Sequence, residues 1–248
     1  MNRQAEATAA RIQHNKTIYT IEVSIMQDYQ KEFIEFLVRS GALKFGSFTL
    51  KSGRTSPYFF NSGEFSRGAQ IDRLGYYYAS AIRELEQQPS VIYGPAYKGI
   101  PLCISSAIAF NHHFERDVAY SFDRKEEKDH GEGGVIVGHI PQADDTVVVV
   151  DDVVTDGATK VEAIQMLRSI TEGTVTGLII AVDRKERNKE GGNSVESLAE
   201  KADVEVRAIV TVYDILEHLP GREIDGTVVM TDEIKSQVEA YLSEYAVA

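Results

Sequence analysis

Four consecutive valines stand at residues 147–150, and two carboxylates, Asp151 and Asp152, follow them directly. An unbroken β-branched run predicts a strand that is buried on both faces, as strands of a parallel sheet are. The next segment, VVTDGATKVEAIQML, predicts a short turn and then a helix. Because ligands bind beyond the carboxyl ends of the strands in open α/β sheets, the two carboxylates are candidate site residues.

Strands and helices alternate along most of the 248 residues. Strands are predicted at residues 91–93, 118–122, 146–150, 175–182 and 204–210. Helices are predicted at residues 26–39, 71–85, 100–110, 160–170, 213–219 and 232–245. This alternation predicts an α/β fold in which helices flank a central, mostly parallel sheet.

The composition argues against several kinds of protein. A formal net charge of −12 disfavours non-specific binding to nucleic acid, which requires a surplus of Lys and Arg. No apolar run approaches the ~18 residues of a membrane span, and the N-terminus lacks the pattern of a secretory signal. The single cysteine, Cys103, allows no intrachain disulfide, and no Cys/His zinc pattern occurs. We therefore expect a cytoplasmic protein without nucleic-acid or membrane partners.

The turn after the two carboxylates has the pattern of a phosphate-binding loop. Residues 155–159 present backbone N–H groups at a predicted helix N-terminus, which suits an anion. Two carboxylates beside a phosphate make sense where they hold the hydroxyls of a sugar, so the segment indicates a sugar-phosphate site. Asp156 adds negative charge, and we expect its side chain to point away. An ordinary strand–helix turn with a capping Thr or Asp is the alternative.

Two further segments supply positive charge for an anionic ligand. GPAYKG, residues 94–99, opens a predicted helix with a turn whose amides and Lys98 suit an anion, although a plain turn is the alternative. SFDRKEEKDHGEGG, residues 121–134, has almost no apolar residue and predicts a mobile surface loop. A solvated charged hairpin is the alternative for the second segment.

These motifs resemble those of the type I phosphoribosyltransferases, in which two acidic residues and the loop after them hold 5-phosphoribosyl-1-pyrophosphate (PRPP). RKEEKDHGEGG, residues 124–134, is similar nearly letter for letter to the catalytic loop of the orotate phosphoribosyltransferases. LKFGSFTLKSGRTSPYFFN, residues 43–61, resembles their N-terminal hood. The resemblance runs from about residue 26 to residue 214 and includes four motifs in the family's order.

The resemblance implies transfer of phosphoribose from PRPP to orotate, which gives orotidine 5′-phosphate and pyrophosphate in de novo pyrimidine (UMP) synthesis. It implies catalytic roles for Arg124, Lys125, Lys128, His130, Asp151 and Asp152. It implies PRPP contacts from the same residues and from Lys51, Tyr97, Lys98, Val153, Val154, Thr155, Asp156, Gly157, Ala158 and Thr159. It implies orotate contacts from Phe59, Phe60, Thr155 and Arg184.

The resemblance also implies a cofactor, a partner and a domain plan. Mg²⁺ is expected mainly on PRPP oxygens and water, near Asp151 and Asp152, with no protein ligand assigned with certainty. A homodimer is expected, with each mobile loop acting on the neighbouring subunit's site. One domain is expected at 26–248, with a hood at about 26–70, a PRPP-binding core at about 71–220 and a C-terminal helix at about 231–246. Residues 1–25 are expected to be a disordered extension or the product of an upstream start site.

Two other functions remain open. A phosphoribosyltransferase for another base, such as a purine, would not need Arg184 or the Phe59–Phe60 pair, because a purine carries no carboxylate. A non-catalytic PRPP sensor or transcriptional regulator on the same fold would not need the RKEEKDH segment. DNA binding by such a regulator would also favour a basic face, which the net charge of −12 does not.

Overall fold

The computed structural model describes residues 26–50, 53–128, 134–153, 157–188 and 191–247, with the backbone alone for residues 126–128. The helices in these ranges are α1 (Asp28–Arg39), α2 (Gly68–Ile82), α3 (Gly99–Phe114), α4 (Ala158–Ile170), α5 (Ser194–Ala202), α6 (Val212–His218) and α7 (Asp232–Tyr245). The strands are β1 (Leu43–Thr49), β2 (Thr55–Phe60), β3 (Val91–Tyr93), β4 (Ala119–Lys128), β5 (Gly134–Gly138), β6 (Thr146–Val153), β7 (Thr174–Asp183), β8 (Glu205–Thr211), β9 (Glu223–Ile224) and β10 (Thr227–Val228). None of the helices just given is long and apolar enough to cross a membrane.

The central sheet has the strand order β5-β4-β3-β6-β7-β8. The pairs β4–β3, β3–β6, β6–β7 and β7–β8 are parallel. Strand β5, at one edge of the sheet, pairs antiparallel with β4. Helices cover the sheet and connect its strands, so the predicted α/β fold with a mostly parallel sheet is confirmed.

Strand β6 lies in the interior of the sheet and accounts for the run of valines. Val148 and Val150 pack into one hydrophobic cluster, which includes residues of α2 and α3. Val147 and Val149 pack into a second cluster, which includes residues of α4 and α5. Because side chains alternate between the faces of a strand, a strand that is covered on both sides needs an apolar residue at every position.

Several elements differ from the sequence prediction, and strands β5, β9 and β10 were not predicted. Helix α5 was not predicted, yet β7 and β8 are parallel neighbours, and a parallel pair requires a crossover connection. The predicted mobile loop at 121–134 is wrong for residues 121–128, which continue strand β4 as far as Lys128. Backbone pairing with β5 extends this strand although its side chains are polar. Strands β4 and β5 thus form the charged hairpin that was the alternative interpretation of this segment. Residues 129–133 lie outside the described ranges.

The N-terminal segment packs against the rest of the fold. Strands β1 and β2 form a separate antiparallel hairpin, and Tyr58 of β2 packs edge-on against Tyr241 of α7 with ring centroids 6.0 Å apart. Phe33 of α1 and Phe60 of β2 belong to the same hydrophobic cluster as Val148 of the central sheet. The hood and core boundaries stay predictions, and residues 1–25 lie outside the part of the chain that the structure describes.

Candidate active site

Asp152, near the carboxyl end of β6, is buried and holds two polar partners from distant segments. Its Oδ2 accepts a 2.7 Å hydrogen bond from Nζ of Lys98 and a 2.6 Å hydrogen bond from the hydroxyl of Ser62. Lys98 also donates to the oxygen of that hydroxyl at 2.9 Å, which closes a three-membered polar cluster. Burial alone would raise the pKa of Asp152, but these hydrogen bonds outweigh it and lower the pKa, so the carboxylate is ionised at neutral pH.

Asp151 makes a separate ion pair. Its Oδ2 lies 2.6 Å from Nζ of Lys160, a buried lysine of α4. The hydroxyl of Tyr78 donates a 2.7 Å hydrogen bond to the backbone carbonyl of Asp151 and fixes the end of the strand. Burial raises the pKa of Asp151 although Lys160 and hydrogen bonding oppose that effect. The adjacent carboxylates therefore differ in partner and in the direction of their pKa shifts, as groups with different tasks in one site often do.

The turn between β3 and α3 brings Lys98 to this place, and it is close-packed. A Cβ atom on Gly94 would collide with the carbonyl of Gly99, and a Cβ on Gly99 would lie 2.6 Å from the carbonyl carbon of Gly94. Glycine is therefore required at both ends of the GPAYKG motif. The backbone N–H of Ala96 donates a 2.7 Å hydrogen bond to Oδ1 of Asp123 on β4, which anchors the turn to the sheet edge.

A cavity of about 260 Å³ opens beside Asp152. Its polar lining comes from Ser62, Lys98 and Asp152 at the ends of three separate segments. The remaining lining is largely aromatic and aliphatic: Phe60, Gly63, Phe65, Ile71, Leu74, Tyr78, Tyr97, Pro101, Leu102 and Ala181. A mostly apolar pocket with a few convergent polar groups is the usual form of a small-molecule site.

The charged hairpin β4–β5 starts next to this cavity. Nζ of Lys125 lies 6.0 Å from the ring centroid of Tyr97, whose side chain is 70% exposed, so the hairpin borders the GPAYKG turn. Arg124 donates a 3.4 Å hydrogen bond to the carbonyl of Gly134 across the hairpin. For Lys128 the structure gives only the backbone, which pairs with Gly134.

The two adjacent phenylalanines point to opposite faces of β2. Phe60 is buried and lines the cavity, whereas the ring of Phe59 stacks on Phe48 of β1 with centroids 5.5 Å apart. Successive residues of a strand alternate in direction, so the two rings are not on one surface. The structure places Phe60 at the candidate site and Phe59 on the far face of the hairpin.

Arg184 follows the last residue of β7 and is held by neighbours from β2 and from its own loop. Its Nη2 lies 2.6 Å from Oε1 of Glu186, and its guanidinium carbon lies 4.8 Å from the ring centroid of Tyr58. Burial would lower the pKa of Arg184, but the interactions with Tyr58 and Glu186 outweigh it and raise the pKa. Arg184 is not among the residues that line the 260 Å³ cavity.

The loop at residues 155–159, which the sequence predicts to bind a phosphate, is described only from Gly157 onward. Gly157 has φ of +76°, a conformation that favours glycine, and its carbonyl accepts hydrogen bonds from Lys160 and Val161 in the first turn of α4. Ala158 and Thr159 open that helix, and Val153 ends β6. The predicted site residues Lys51, His130, Val154, Thr155 and Asp156 lie outside the described ranges.

Several residues that build the site were not identified from the sequence. Ser62 and Lys160 contact the two carboxylates, and Tyr78 donates to the backbone carbonyl of Asp151. Asp123 anchors the GPAYKG turn, and Glu186 holds Arg184. The serine and the tyrosine carry no motif of their own. The lysine could have been noticed, because it follows the phosphate-binding loop by one residue and lies in the first turn of the same helix.

Within the described ranges, no group of three or more His, Cys, Asp or Glu side chains is arranged to hold a metal ion. The carboxylates of Asp151 and Asp152 each accept an ammonium group at 2.6–2.7 Å. A divalent ion bound directly by Oδ2 of Asp151 would have to displace Lys160, and one bound by Oδ2 of Asp152 would have to displace Lys98. The donor set therefore fits contact with metal-bound water better than direct coordination.

Comparison with known proteins agrees with this geometry. The family model described as "Phosphoribosyl transferase domain" matches residues 68–218. The chain is 42% identical over 223 residues to an orotate phosphoribosyltransferase of Lachnoclostridium phytofermentans, an alignment that covers 90% of this chain and 99% of that protein. It is 42% identical over 221 residues to an orotate phosphoribosyltransferase of Clostridium beijerinckii, with 89% and 99% covered.

Solved structures give the same result. The crystal structure of the orotate phosphoribosyltransferase of Francisella tularensis superposes with a TM-score of 0.74 and 33% identity, covering 87% of this chain and 100% of that chain. The UMP synthase of Leishmania donovani superposes with a TM-score of 0.67 and 26% identity, covering 86% of this chain but 42% of that one. The chain therefore belongs to the orotate phosphoribosyltransferases, within the larger phosphoribosyl transferase domain family.

Proposed function

We propose that the chain transfers the 5-phosphoribosyl group of PRPP to N1 of orotate, which gives orotidine 5′-phosphate and pyrophosphate. The bond between C1 of the ribose and the pyrophosphate oxygen breaks, a bond between C1 and N1 forms, and N1 of orotate gives up its proton to pyrophosphate or to solvent. The observation that supports this reaction is the pair Asp151–Asp152 at the end of β6, where Asp152 meets Lys98 and Ser62 at the cavity. Among orotate phosphoribosyltransferases, such a pair suits the hydroxyls of the ribose.

The electrostatics of the pair explain how an acidic chain accepts an anionic substrate. Lys98 and Lys160 offset the charges of Asp152 and Asp151, so the carboxylates do not present two uncompensated negative charges to PRPP. When the ribose hydroxyls donate to Asp152, Lys98 becomes available to the departing pyrophosphate. The gain in rate would come from positioning and from preorganised charge rather than from a covalent nucleophile.

The remaining roles are those that the resemblance to the family implies. Pyrophosphate would be neutralised by Tyr97, Lys98 and the hairpin residues Arg124, Lys125, Lys128 and His130. The 5′-phosphate would be held by residues 155–159 at the N-terminus of α4, and Val153 and Val154 would also contact PRPP. Orotate would contact Phe60, Thr155 and Arg184, and Lys51 would reach PRPP. Phe59, which stacks on Phe48 on the other face of β2, would support the hairpin that carries Phe60 rather than meet orotate.

Mg²⁺ belongs to this proposal as a companion of PRPP. It would neutralise charge on the PRPP oxygens, and Asp151 and Asp152 would accept hydrogen bonds from water molecules on the ion. We also place the reaction in the cytoplasm, which suits a chain with one cysteine whose thiol is buried.

The reaction is tested by the loss of orotate's ultraviolet absorbance on mixing with PRPP, Mg²⁺ and protein. We expect loss that requires all of these components and is matched by release of pyrophosphate. Adenine and hypoxanthine with PRPP are the control acceptors, and turnover of either in place of orotate would contradict the assignment. PRPP binding without turnover of any base would favour the non-catalytic sensor instead.

A homodimer in which each charged hairpin acts on the partner's site can be tested with hybrid dimers. Lys128→Ala should lower kcat by orders of magnitude, and so should a double variant Asp151→Asn/Asp152→Asn. If the hairpin acts across the interface, an equal mixture of the two that has been dissociated and reassociated regains about a quarter of the native activity. A hairpin that acts within its own subunit would leave the mixture inactive.

A further inference from the structure

Glu186 is a partly buried carboxylate that the reaction itself does not use, and it has four partners. Its Oε1 lies 2.6 Å from Nη2 of Arg184 and accepts hydrogen bonds from the hydroxyls of Tyr241 at 2.9 Å and Tyr58 at 3.4 Å. Its Oε2 lies 3.8 Å from Nη1 of Arg54. The side chain is 16% exposed, so these interactions are formed largely away from water.

The contacts of Arg184 leave part of its guanidinium available. Nε donates to the Tyr58 hydroxyl, and Nη2 donates to Ser56 and pairs with Glu186. Within the described residues, Nη1 makes no hydrogen bond, so its two N–H groups remain for a ligand. Two guanidiniums and one carboxylate leave the cluster with a net charge of +1, which suits one monoanionic carboxylate.

The C-terminal segment holds this cluster in place. Tyr241 belongs to α7, and residues after that helix pair with the loop that carries Arg184 and Glu186. The N–H of Arg187 donates to the carbonyl of Tyr245 at 2.8 Å, and the N–H of Val247 donates to the carbonyl of Lys185 at 3.0 Å. The last helix is thus attached to the loop by backbone bonds on both sides of Glu186.

We propose that Glu186, held by the Tyr241 hydroxyl, is a positioning residue that fixes the guanidinium of Arg184 for the carboxylate of orotate. The inference rests on the proposed function, in which Arg184 binds orotate. Arginine has several rotatable bonds, and a fork that is oriented before binding loses less entropy when the ligand arrives. The C-terminal helix thereby controls affinity for the acceptor base and not for PRPP.

Steady-state kinetics with each substrate varied separately tests this role. Tyr241→Phe removes a donor to Glu186 and should raise the KM for orotate by about three- to tenfold, the usual range for one ordinary hydrogen bond. The KM for PRPP should stay within about twofold of its native value. Tyr245→Phe is the matched control, because Tyr245 lies on the same helix and its ring meets Tyr241. Among the described residues, the hydroxyl of Tyr245 makes no hydrogen bond to Glu186.

Glu186→Gln separates positioning from simple attraction. The substitution raises the charge of the cluster from +1 to +2, so attraction alone would lower the KM for orotate, whereas loss of orientation raises it. A rise confined to orotate in Tyr241→Phe and Glu186→Gln supports the proposal. A fall in Glu186→Gln, equal changes for both substrates, or the same change in Tyr245→Phe overturns it.

Failure of the positioning role of Glu186 can be distinguished from failure of the proposed transfer reaction. If Arg184→Lys raises the KM for orotate while Tyr241→Phe and Glu186→Gln do not, Arg184 keeps its role and only the positioning is refuted. If Arg184→Lys leaves the KM for orotate unchanged, the assignment of Arg184 falls, and the positioning falls with it. Absence of turnover by the native chain refutes both.

Discussion

The hydroxyl of Ser62 and the carboxylate of Asp152 are joined by a 2.6 Å hydrogen bond across 90 residues of sequence. Ser62 lies in a short 3-10 turn directly after the β1–β2 hairpin, and Asp152 lies near the end of the central strand β6. The bond therefore couples the segment that carries Phe60 to the carboxylate assigned to the ribose. Lys98 joins the same pair from a third segment.

Ser62→Ala should weaken PRPP use without changing the fold. The variant removes a donor to Asp152 and an acceptor for Lys98, so both partners lose orientation. We expect kcat/KM for PRPP to fall by about five- to twentyfold, which corresponds to about 1–2 kcal/mol. Ser66→Ala is the control, because Ser66 is an exposed residue four positions further along. An unchanged kcat/KM in Ser62→Ala would show that the coupling has no part in the reaction.

Lys160→Met should change the pH dependence of the reaction. Burial already raises the pKa of Asp151, and loss of the ammonium group 2.6 Å away should raise that pKa further. In the proposed mechanism Asp151 acts as a carboxylate, so kcat/KM for PRPP should be lost as the pH falls through this pKa. The acid limb of the pH profile should therefore move upward by about one pH unit or more. Lys160→Arg retains the positive charge and should move the acid limb less. Equal pH profiles for Lys160→Met and the native protein would show that Lys160 does not influence the titration of Asp151.

Gly94→Ala should disrupt the turn that carries Lys98. The added Cβ would meet the backbone carbonyl of Gly99 and the sulfur of Cys103, and neither can move without opening the turn. We expect a loss of more than about 3 kcal/mol in the free energy of unfolding, measured with urea, together with loss of PRPP binding. Gly68→Ala is the control, since a Cβ there meets nothing within 4 Å. Similar urea midpoints for the two variants would contradict this reading of the turn.

The sequence predicted what depends on local pattern. The valines of β6 identify a strand covered on both faces, and Asp151 and Asp152 identify the active edge, because both signals lie within one short segment. Helix α5 was missed because its nine residues are too short a stretch to show a helical period clearly. The polar end of β4 was missed because its strand character comes from pairing with β5. Ser62, Lys160 and Glu186 were missed as site residues because tertiary packing supplies their partners.

Asp145→Asn should destabilise the protein at neutral pH. The N–H of Gln142, the hydroxyl of Ser90 and the ring of His139 hold the pKa of Asp145 at about 2, below its ordinary value of 3.8. A carboxylate whose pKa is lower in the folded state stabilises that state in full above the unfolded-state pKa, and this contribution is lost as the pH falls through about 2.

The loss at pH 7 should be about 1–2 kcal/mol, because hydrogen bonds to a charged acceptor are removed while the site stays partly exposed. Urea unfolding of native and variant protein between pH 7 and pH 3 measures it, and the difference should be constant above about pH 5 and shrink below about pH 4. Asp144→Asn is the matched control, because Asp144 is an exposed neighbour that carries the same charge. A difference that persisted undiminished at pH 3, or one that Asp144→Asn reproduced, would assign the effect to packing or to general charge rather than to the bonds of Asp145.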